Sequence, residues 1–144
     1  MHHDRLADPD FRIQRRVRWI ETDQSGTLHF CNIPRLMEEA EYAFLKSRGL
    51  NVVLTDERGL IGFPRVSADF EIKRAVHVDE LLSIWLKLIE NNGITLQYRF
   101  EITDELHQLI GIGEFEVACC RFHSGELPRA ILIPDFVMER LRRG

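Results

Sequence analysis

The fold of this chain is decided by the stretch from Glu21 to Gly49, ETDQSGTLHFCNIPRLMEEAEYAFLKSRG. Asn32 stands at the N-cap position of a helix, Pro34 lies in the first turn, and Gly49 occupies the place of a C-cap. Between these ends, apolar or small side chains recur at three- and four-residue steps, at Leu36, Met37, Ala40, Ala43, Phe44 and Ser47. The stretch therefore predicts one long helix that begins just after an acidic turn.

The turn before this helix combines acidic, small and aromatic residues. Asp23 precedes Ser25 and Gly26, and a polar and aromatic link leads from there to the helix. A helix N-terminus presents unpaired N–H groups and a partial positive charge, which suit an oxygen that becomes negative during a reaction. A carboxylate and an oxyanion site are therefore expected side by side.

Four segments outside the helix have the patterns of β-strands. Phe11 to Trp19, Pro64 to Ala75 and Ile94 to Thr103 alternate apolar and polar residues with a period of two. Leu81 to Glu90 is apolar on both faces, as expected of a strand that is covered on both sides. The sequence Asn91-Asn92-Gly93 predicts a tight hairpin between the last two of these strands.

The remaining segments complete the predicted fold. Asn51 to Gly62 is expected to be an irregular connection, Gln108 to Phe122 a fifth strand, and Ala130 to Ile133 a short last strand. Pro134 is expected to begin a C-terminal helix. One long helix followed by hairpin-connected strands is an α+β pattern, and it predicts an antiparallel sheet of five or six strands wrapped around that helix. Trp85 and its apolar neighbours offer a surface for dimerisation.

Composition argues against several classes of protein. The 144 residues, 44% hydrophobic and 29% charged, predict one globular domain that folds without disulfide or metal support, with residues 1–10 as a flexible tail. A net charge of −4 argues against a nucleic-acid binder. Three cysteines without C-x-x-C spacing indicate neither a disulfide framework nor a zinc site, so a cytoplasmic protein is expected. No apolar run has the pattern of a signal peptide or a membrane-inserted segment.

A series of short motifs spans the chain from Val17 to Val137. In this order and spacing the motifs resemble those of the hotdog-fold acyl-CoA thioesterases, in particular the 4-hydroxybenzoyl-CoA thioesterase type. The resemblance implies a hotdog fold, a homodimer assembled into a homotetramer, and active sites shared across the dimer interface. It also implies an acyl-CoA or related pantetheine thioester as substrate, without cofactor or metal. The motifs are Thr22-Asp23-Gln24-Ser25-Gly26, His29-Phe30-Cys31-Asn32, Glu38 in the helix, Gly59-Leu60-Ile61-Gly62-Phe63-Pro64, Asp79-Glu80-Leu81, Ser124-Gly125-Glu126 and Arg129-Ala130-Ile131.

The resemblance also implies catalytic roles for residues of the central stretch. Asp23 matches the family's catalytic aspartate, which acts as a nucleophile through an acyl-enzyme anhydride or as a general base on water. The backbone N–H of Phe30 is the implied oxyanion donor, and Gly26 lets the turn pass close to the thioester. Thr22 and Ser25 leave a purely structural role open, in which Asp23 only caps the turn.

Substrate-binding residues are expected around this centre. Glu38 matches a position that contacts the substrate's phenol in the 4-hydroxybenzoyl type, and an ordinary exposed helix carboxylate is equally compatible with the sequence. His29 and Cys31 are close in sequence, but a Cys-His nucleophilic pair needs an oriented, electropositive site, so they are expected to shape the pocket instead. The complete expected set is His29, Cys31, Glu38, Phe63 and Arg129.

Coenzyme A carries phosphates, so a basic rim is expected around the substrate site. Where the 4-hydroxybenzoyl type has a basic hairpin, this chain has Asn92-Gly93-Ile94. An acyl-carrier-protein thioester, which needs no nucleotide rim, is therefore an alternative substrate, and a non-catalytic acyl-CoA-binding protein is a second alternative. The pattern of the hotdog dehydratases is not matched. Candidates for phosphate contacts elsewhere are Lys73, Arg74, Arg121 and Arg129.

Overall fold

The computed structural model describes residues 5–90 and 92–142, and its centre is one long helix packed against a sheet. Helix α1 spans Ile33–Ser47 and helix α2 spans Asp135–Arg142. Neither helix in the described part of the chain is long and apolar enough to cross a membrane. Within the same residues lie nine strands: β1 (Phe11–Arg16), β2 (Val53–Asp56), β3 (Gly59–Gly62), β4 (Arg65–Ile72), β5 (Leu81–Glu90), β6 (Thr95–Thr103), β7 (Leu109–Ala118), β8 (Cys120–Phe122) and β9 (Arg129–Ala130).

Five strands form the antiparallel sheet that covers α1, in the order β1-β5-β6-β7-β4. The buried face of the helix, which includes Leu36, Ala40 and Phe44, is completely shielded from solvent. Phe44 meets the ring of Tyr98 edge-on, with 6.3 Å between ring centroids. This arrangement confirms the predicted α+β fold, a sheet wrapped around one long helix. The inner side chains of the central strands are Leu82, Ile84, Leu86, Leu96, Tyr98, Phe100, Ile102, Phe115 and Val117.

The segment Asn51 to Gly62 corrects the sequence prediction, because it contains a hairpin rather than an irregular connection. Strands β2 and β3 pair antiparallel, with Asp56 opposite Gly59 at the turn. The Asp56 carboxylate accepts the Arg58 N–H at 2.9 Å, which stabilises that turn. Both strands have only four residues, and three of the four residues of β2 are exposed while Ile61 and Gly62 of β3 are buried, so neither sequence shows the alternation of a half-buried strand.

The predicted fifth strand is divided in two. Strand β7 ends at Ala118 because the next residue, Cys119, donates its N–H to Ile94 O at 2.8 Å and accepts the Ile131 N–H at 3.0 Å. The chain then leaves the main sheet, and β8 joins a second sheet of order β2-β3-β8-β9. The last strand is correspondingly Arg129–Ala130 rather than Ala130 to Ile133.

The first strand is shorter than the sequence predicts, since β1 ends at Arg16 and not at Trp19. Val17 donates its N–H to Glu80 O at 3.0 Å, and the chain then enters a single 3-10 turn over Trp19–Glu21. Trp19 is therefore 79% exposed instead of facing the core.

Residues 5–10 lie along the outer face of the main sheet. Leu6 donates its N–H to the Glu101 carboxylate at 2.6 Å, and Lys87 donates to Asp8 O at 2.7 Å. The flexible tail therefore stays a prediction for residues 1–4, which lie outside the described residues. On the same face, Trp85 donates to Thr103 Oγ1 at 2.9 Å and carries the Arg12 guanidinium over its ring, so its own chain covers part of the predicted dimerisation surface.

Gly111 of β7 is a position where any side chain is expected to strain the sheet. A Cβ atom there would lie 2.9 Å from the carbonyl oxygen of Glu71, and this oxygen belongs to the backbone of neighbouring strand β4. We expect Gly111→Ala to lower the free energy of unfolding by about 1–3 kcal/mol, measured by urea denaturation. Gly62→Ala is the comparison, because its Cβ would meet only the movable ring of Phe122. Equal losses in the two variants would contradict the argument.

Candidate active site

Glu21 anchors the loop that precedes helix α1. Its buried carboxylate accepts two hydrogen bonds from the Arg15 guanidinium, at 2.8 and 2.7 Å, and one from the Arg18 N–H at 2.8 Å. Its main-chain oxygen accepts the His29 N–H at 2.9 Å and the Asn32 side-chain amide at 2.8 Å. Asn32 therefore occupies the predicted N-cap position, but its side chain donates to the loop and makes no cap hydrogen bond. One residue therefore joins strand β1, the acidic turn and the helix start.

Asp23 lies in a tight turn and is exposed in the protomer. Its Oδ1 accepts the Ser25 hydroxyl at 2.6 Å, the Ser25 N–H at 2.9 Å and the Thr27 N–H at 3.2 Å. Gly26, at φ +77°, occupies a backbone conformation that glycine adopts readily, and it closes the turn through a 3.1 Å bond to Asp23 O. The turn-capping role therefore exists, and it uses only one carboxylate oxygen. No described residue donates a hydrogen bond to Oδ2.

These hydrogen bonds also set the protonation state of Asp23. The Ser25 hydroxyl and the Ser25 N–H hold the pKa of Asp23 below its ordinary value, and the Thr27 N–H and the nearby His29 act in the same direction. Each of these donors stabilises the charged form. The carboxylate is therefore ionised at neutral pH, as a nucleophile or a general base requires.

The Phe30 amide lies at the start of the 3-10 turn that precedes α1. The neighbouring amides are satisfied, because Cys31 N–H donates to His29 Nδ1 at 3.2 Å and Asn32 N–H donates to His29 O at 2.9 Å. Among the described residues, the Phe30 N–H makes no hydrogen bond. Its ring is 59% exposed and stacks on His29 with 5.4 Å between centroids. The arrangement leaves one N–H available for an incoming oxygen, beside a turn that carries a carboxylate.

A groove of about 600 Å³ lies along the first turns of α1, with Cys31 at the end nearest to Phe30 in sequence. Two of the predicted substrate-binding residues, Cys31 and Glu38, lie on its wall. Glu38 forms an ion pair with Arg65 at 3.3 Å and is not a free helix carboxylate. The full lining is Cys31, Pro34, Arg35, Glu38, Glu39, Arg65, Ala68 and Phe115.

Behind the groove lies a carboxylate in the hydrophobic core. Glu41 is only 3% exposed, and its ionic partner is the Arg65 guanidinium. That guanidinium also packs over the ring of Phe115, 4.6 Å from its centroid. The Arg65 Nε is shielded from solvent and has no acceptor in the described part of the chain, which costs about 1–3 kcal/mol for a buried donor.

Burial raises the pKa of Glu41 from 4.5 to about 7, because the charge of Arg65 offsets only part of the desolvation and Glu38 adds repulsion. The folded chain therefore binds this proton more tightly than the unfolded chain does. The contribution of this protonation of Glu41 to the free energy of unfolding is complete below pH 4.5 and is lost as the pH rises through 7.

Glu41→Gln is therefore expected to flatten the pH dependence of stability between pH 5 and 8. The wild-type chain should lose on the order of 2–3 kcal/mol more than the variant over this interval, because only the wild-type side chain has to ionise in the core. Urea denaturation at pH 5, 6, 7 and 8 measures the difference. Glu57→Gln, in an exposed turn, is the control and should follow the wild-type curve. Parallel curves of unfolding free energy against pH for the wild type and Glu41→Gln would contradict a raised pKa of Glu41.

The other predicted binding residues do not line this groove. Phe63 is half-buried and packs against the core, and Arg129 is exposed in β9 of the second sheet.

Three of the four candidate phosphate-binding cations already face carboxylates. Arg121 binds Asp56 at 2.7 and 2.8 Å. The other two pairs are Arg74 with Glu80 and Asp104, at 3.1 and 2.8 Å, and Lys73 with Glu71 at 3.3 Å.

Four residues of the site were missed by sequence reasoning. Arg15 occupies an inward position in the alternation of β1, and Glu41 lies on the apolar face of α1, so a charge at a core position was the available signal for both. Glu21 was recognised only as part of an acidic turn. Arg65 follows Pro64 without any pattern that distinguishes it from a surface arginine.

Comparisons with known proteins agree with this architecture. No family model matches the chain. A protein of Aquifex aeolicus (strain VF5) named “Putative esterase” is 28% identical over 132 residues, covering 92% of this chain and 98% of that protein. A 1,4-dihydroxy-2-naphthoyl-CoA thioesterase from Synechocystis superposes with a TM-score of 0.80 at 19% identity, covering 91% of this chain and 94% of that chain.

A further similar structure is a 4-hydroxybenzoyl-CoA thioesterase mutant in complex with 4-hydroxybenzoyl-CoA. Its TM-score is 0.75 at 18% identity, covering 90% of this chain and 96% of that chain. These structural neighbours are hotdog-fold thioesterases, so the family resemblance noted in the sequence is confirmed at the level of the fold. The chain has the hotdog fold, with α1 as its central helix.

Proposed function

We propose that this protein is a thioesterase that hydrolyses an acyl- or aroyl-CoA thioester to the free acid and CoA. The observation that carries the proposal is that one loop contains two groups without a hydrogen-bond partner among the described residues, the Asp23 Oδ2 and the Phe30 N–H. An ionised carboxylate and a vacant main-chain donor are the two groups that acyl transfer requires. The structural neighbours, named as thioesterases of aromatic CoA esters, support the same chemistry.

In the nucleophilic form of the reaction, the Asp23 carboxylate attacks the thioester carbonyl carbon. The carbonyl oxygen gains negative charge and accepts the Phe30 N–H, the C–S bond breaks, and CoA leaves as a thiolate that takes a proton from water. A water molecule then hydrolyses the resulting anhydride, which releases the acid and restores the carboxylate. In the general-base form, Asp23 takes a proton from water while that water attacks the carbonyl carbon. The tetrahedral intermediate then collapses with cleavage of the C–S bond, and the CoA thiolate takes the proton from Asp23, which restores the carboxylate.

A homodimer belongs to this proposal, because one protomer leaves the loop and the groove open to solvent. Strand β4 lies at an edge of the main sheet, and its Val66 and Ile72 side chains are 58% and 41% exposed. An edge strand with exposed apolar side chains is suited to pairing with a second copy. We expect a dimer that associates further into a homotetramer, and light scattering after size exclusion measures the mass of the assembly.

Thioesters of acyl-carrier protein are the second candidate substrates. The observation in their favour is the pairing of Lys73, Arg74 and Arg121 with carboxylates, which leaves Arg129 as the candidate cation without an ion pair among the described residues. A site without a nucleotide rim would take pantetheine and CoA thioesters at comparable rates. A CoA-specific site would discriminate between them.

The experiment that tests the proposed function is a turnover screen with short, long and aromatic acyl-CoAs and the matching pantetheine thioesters. Release of free thiol is the readout. Turnover of at least one thioester with a kcat/KM above about 10⁴ M⁻¹s⁻¹ is the expected result for an enzyme. Tight binding without hydrolysis of any member of the panel would indicate a non-catalytic acyl-CoA-binding protein instead.

A further inference from the structure

His29 surrounds the Phe30 amide with hydrogen bonds, and the hydrolysis proposed above gives this histidine no role. Its N–H donates to Glu21 O at 2.9 Å, and its carbonyl oxygen accepts the Asn32 N–H at 2.9 Å. Its Nδ1 accepts the Cys31 N–H at 3.2 Å. The amides on both sides of Phe30 are therefore held by contacts that involve His29, while the Phe30 N–H bonds to no described residue. His29 is thus the residue that leaves this one amide open.

The side chain of His29 is the N-cap of the 3-10 turn Phe30–Asn32. Its backbone is extended, with φ −67° and ψ 130°, and its ring nitrogen binds the amide of Cys31, the second residue of the turn. Asparagine, aspartate and serine are the usual residues for this contact. Histidine makes the same contact through Nδ1 and adds a flat ring. That ring stacks on Phe30 at an interplanar angle of 19°, so the cap and the stacking hold residue 30 from two sides.

The cap fixes the protonation state of the His29 ring. A main-chain N–H can only donate, so Nδ1 has to carry a lone pair, and the single ring hydrogen lies on Nε2. The imidazole that makes this contact is therefore neutral. The contact with Cys31 involves the main-chain amide and not the thiol, so it is not the hydrogen bond of a Cys-His nucleophilic pair. His29 contributes through geometry and not by proton transfer through Nδ1.

A neutral cap suits the charge that develops at this place. In the proposed reaction the substrate oxygen becomes negative at the Phe30 N–H, one residue from the cap. An aspartate cap would place a second negative charge next to that oxygen and beside Asp23, with which residue 29 interacts electrostatically. Neighbouring like charges repel each other. An imidazole stabilises the turn without this repulsion.

We propose that His29 is the positioning residue of the oxyanion donor: its neutral imidazole caps the 3-10 turn and thereby holds the Phe30 N–H toward the substrate oxygen. The proposal rests on the proposed function in taking this N–H as the donor. It assigns two requirements to position 29, a hydrogen-bond acceptor and the absence of negative charge. Substitutions of His29 can vary these requirements one at a time.

The first test uses the full-length protein and single-turnover rates with the acyl-CoA of the panel that the wild type hydrolyses fastest. His29→Phe keeps a stacking ring and has no acceptor, so we expect the rate to fall about tenfold through loss of the cap. His29→Asn removes the ring and keeps a neutral acceptor. Its rate should stay within about threefold of the wild type, because asparagine is a good N-cap.

His29→Asp separates the catalytic role from the structural one. Aspartate caps as well as asparagine does, so the thermal unfolding of the two variants should agree. The added negative charge should nevertheless make the rate of His29→Asp about tenfold lower than that of His29→Asn. This pair of variants keeps the proposal testable if His29→Phe does not fold. His107→Phe is the matched control and should keep the wild-type rate, since the His107 ring lies against Trp85 on the outer face of the sheet.

NMR of the histidine ring nitrogens tests the cap without any substrate. Long-range proton–nitrogen spectra are recorded at pH 8, where histidine side chains are ordinarily neutral, and the signals missing in His29→Asn belong to His29. We expect an unprotonated Nδ1 and a protonated Nε2. Exchange of the Cys31 amide with deuterium should be faster in His29→Phe than in the wild type, and it should be close to the wild-type rate in His29→Asn.

Equal rates of turnover for the wild type, His29→Asn and His29→Phe would overturn the proposal, as would equal rates for His29→Asn and His29→Asp or a hydrogen on Nδ1. Failure of the proposed function gives a different result. A wild type that hydrolyses no thioester but has Nδ1 as the acceptor would refute the hydrolase and leave His29 as the residue that keeps the amide open. A hydrolase whose His29→Phe variant keeps the wild-type rate would retain the proposed function and overturn this inference.

Discussion

Asp23→Asn is expected to reduce thioester hydrolysis on the order of 10³–10⁴-fold, while the loop keeps its shape. The asparagine side chain retains a carbonyl oxygen in place of Oδ1, which can still accept from Ser25 and Thr27. It replaces Oδ2 with an amide nitrogen, which is neither a nucleophile nor a base. The variant therefore separates the chemical role of Asp23 from its role in the turn. Steady-state kcat/KM for the best substrate of the panel measures the loss.

The matched control for this variant is Glu57→Gln, since Glu57 is an exposed carboxylate in the turn between β2 and β3, away from the loop and from β4. It should keep wild-type turnover. Thermal unfolding and light scattering should be the same for the wild type and both variants. Activity of Asp23→Asn within tenfold of the wild type would remove Asp23 from the reaction, and the loop would then be only a capped turn.

Phe30→Pro is expected to reduce kcat about a hundredfold or more, because it removes a single main-chain N–H. The substitution is compatible with the local backbone. Residue 30 is the first of a 3-10 turn, a position that tolerates proline, and the preceding His29 has φ −67° and ψ 130°, which suits a residue before proline. Because this N–H bonds to no described residue, its loss breaks no hydrogen bond of the fold. Single-turnover rates measure the effect on the chemical step.

Phe30→Ala is the control that removes the ring and keeps the amide. It breaks the contacts of the ring with His29 and Phe70, at 5.4 and 6.3 Å between centroids. We expect a change in KM with a much smaller change in kcat than in Phe30→Pro. If the alanine and proline variants lose kcat equally, the ring and not the amide is responsible, and the oxyanion role has to be assigned elsewhere.

Regular periodicity explains which parts of the fold were predictable. Helix α1 and strands β5 and β6 bury one or both faces. Apolar residues therefore recur in their sequences with the spacing of a helix or a strand, and the bounds of these elements were predicted to within a few residues. Strands β2 and β3 have only four residues each, which is too short to show such a period. The break at Cys119 depends on hydrogen bonds to Ile94 and Ile131, which are distant in sequence and leave no local signal.

The candidate site likewise has a part that local sequence predicts and a part that it does not. Asp23 and Phe30 lie within one short loop before a helix, so their place in the same loop follows from local sequence. The contact between Arg65 and Glu41 joins residues 24 positions apart on different elements, and only the packing of α1 against β4 brings them together. The roles of Phe63 and Arg129 remain predictions, because neither side chain lines the groove of a single protomer.

The buried carboxylate of Glu21 has a consequence for how this protein should lose activity. The Glu21 carboxylate binds Arg15 of strand β1, and the main-chain oxygen of the same residue accepts from His29 of the loop and from Asn32 at the helix start. Loss of these contacts would displace the Asp23 carboxylate and the Phe30 amide in the same event. Inactivation by heat should therefore occur as one abrupt step, without a long-lived species that still binds the thioester but has lost only half of its machinery.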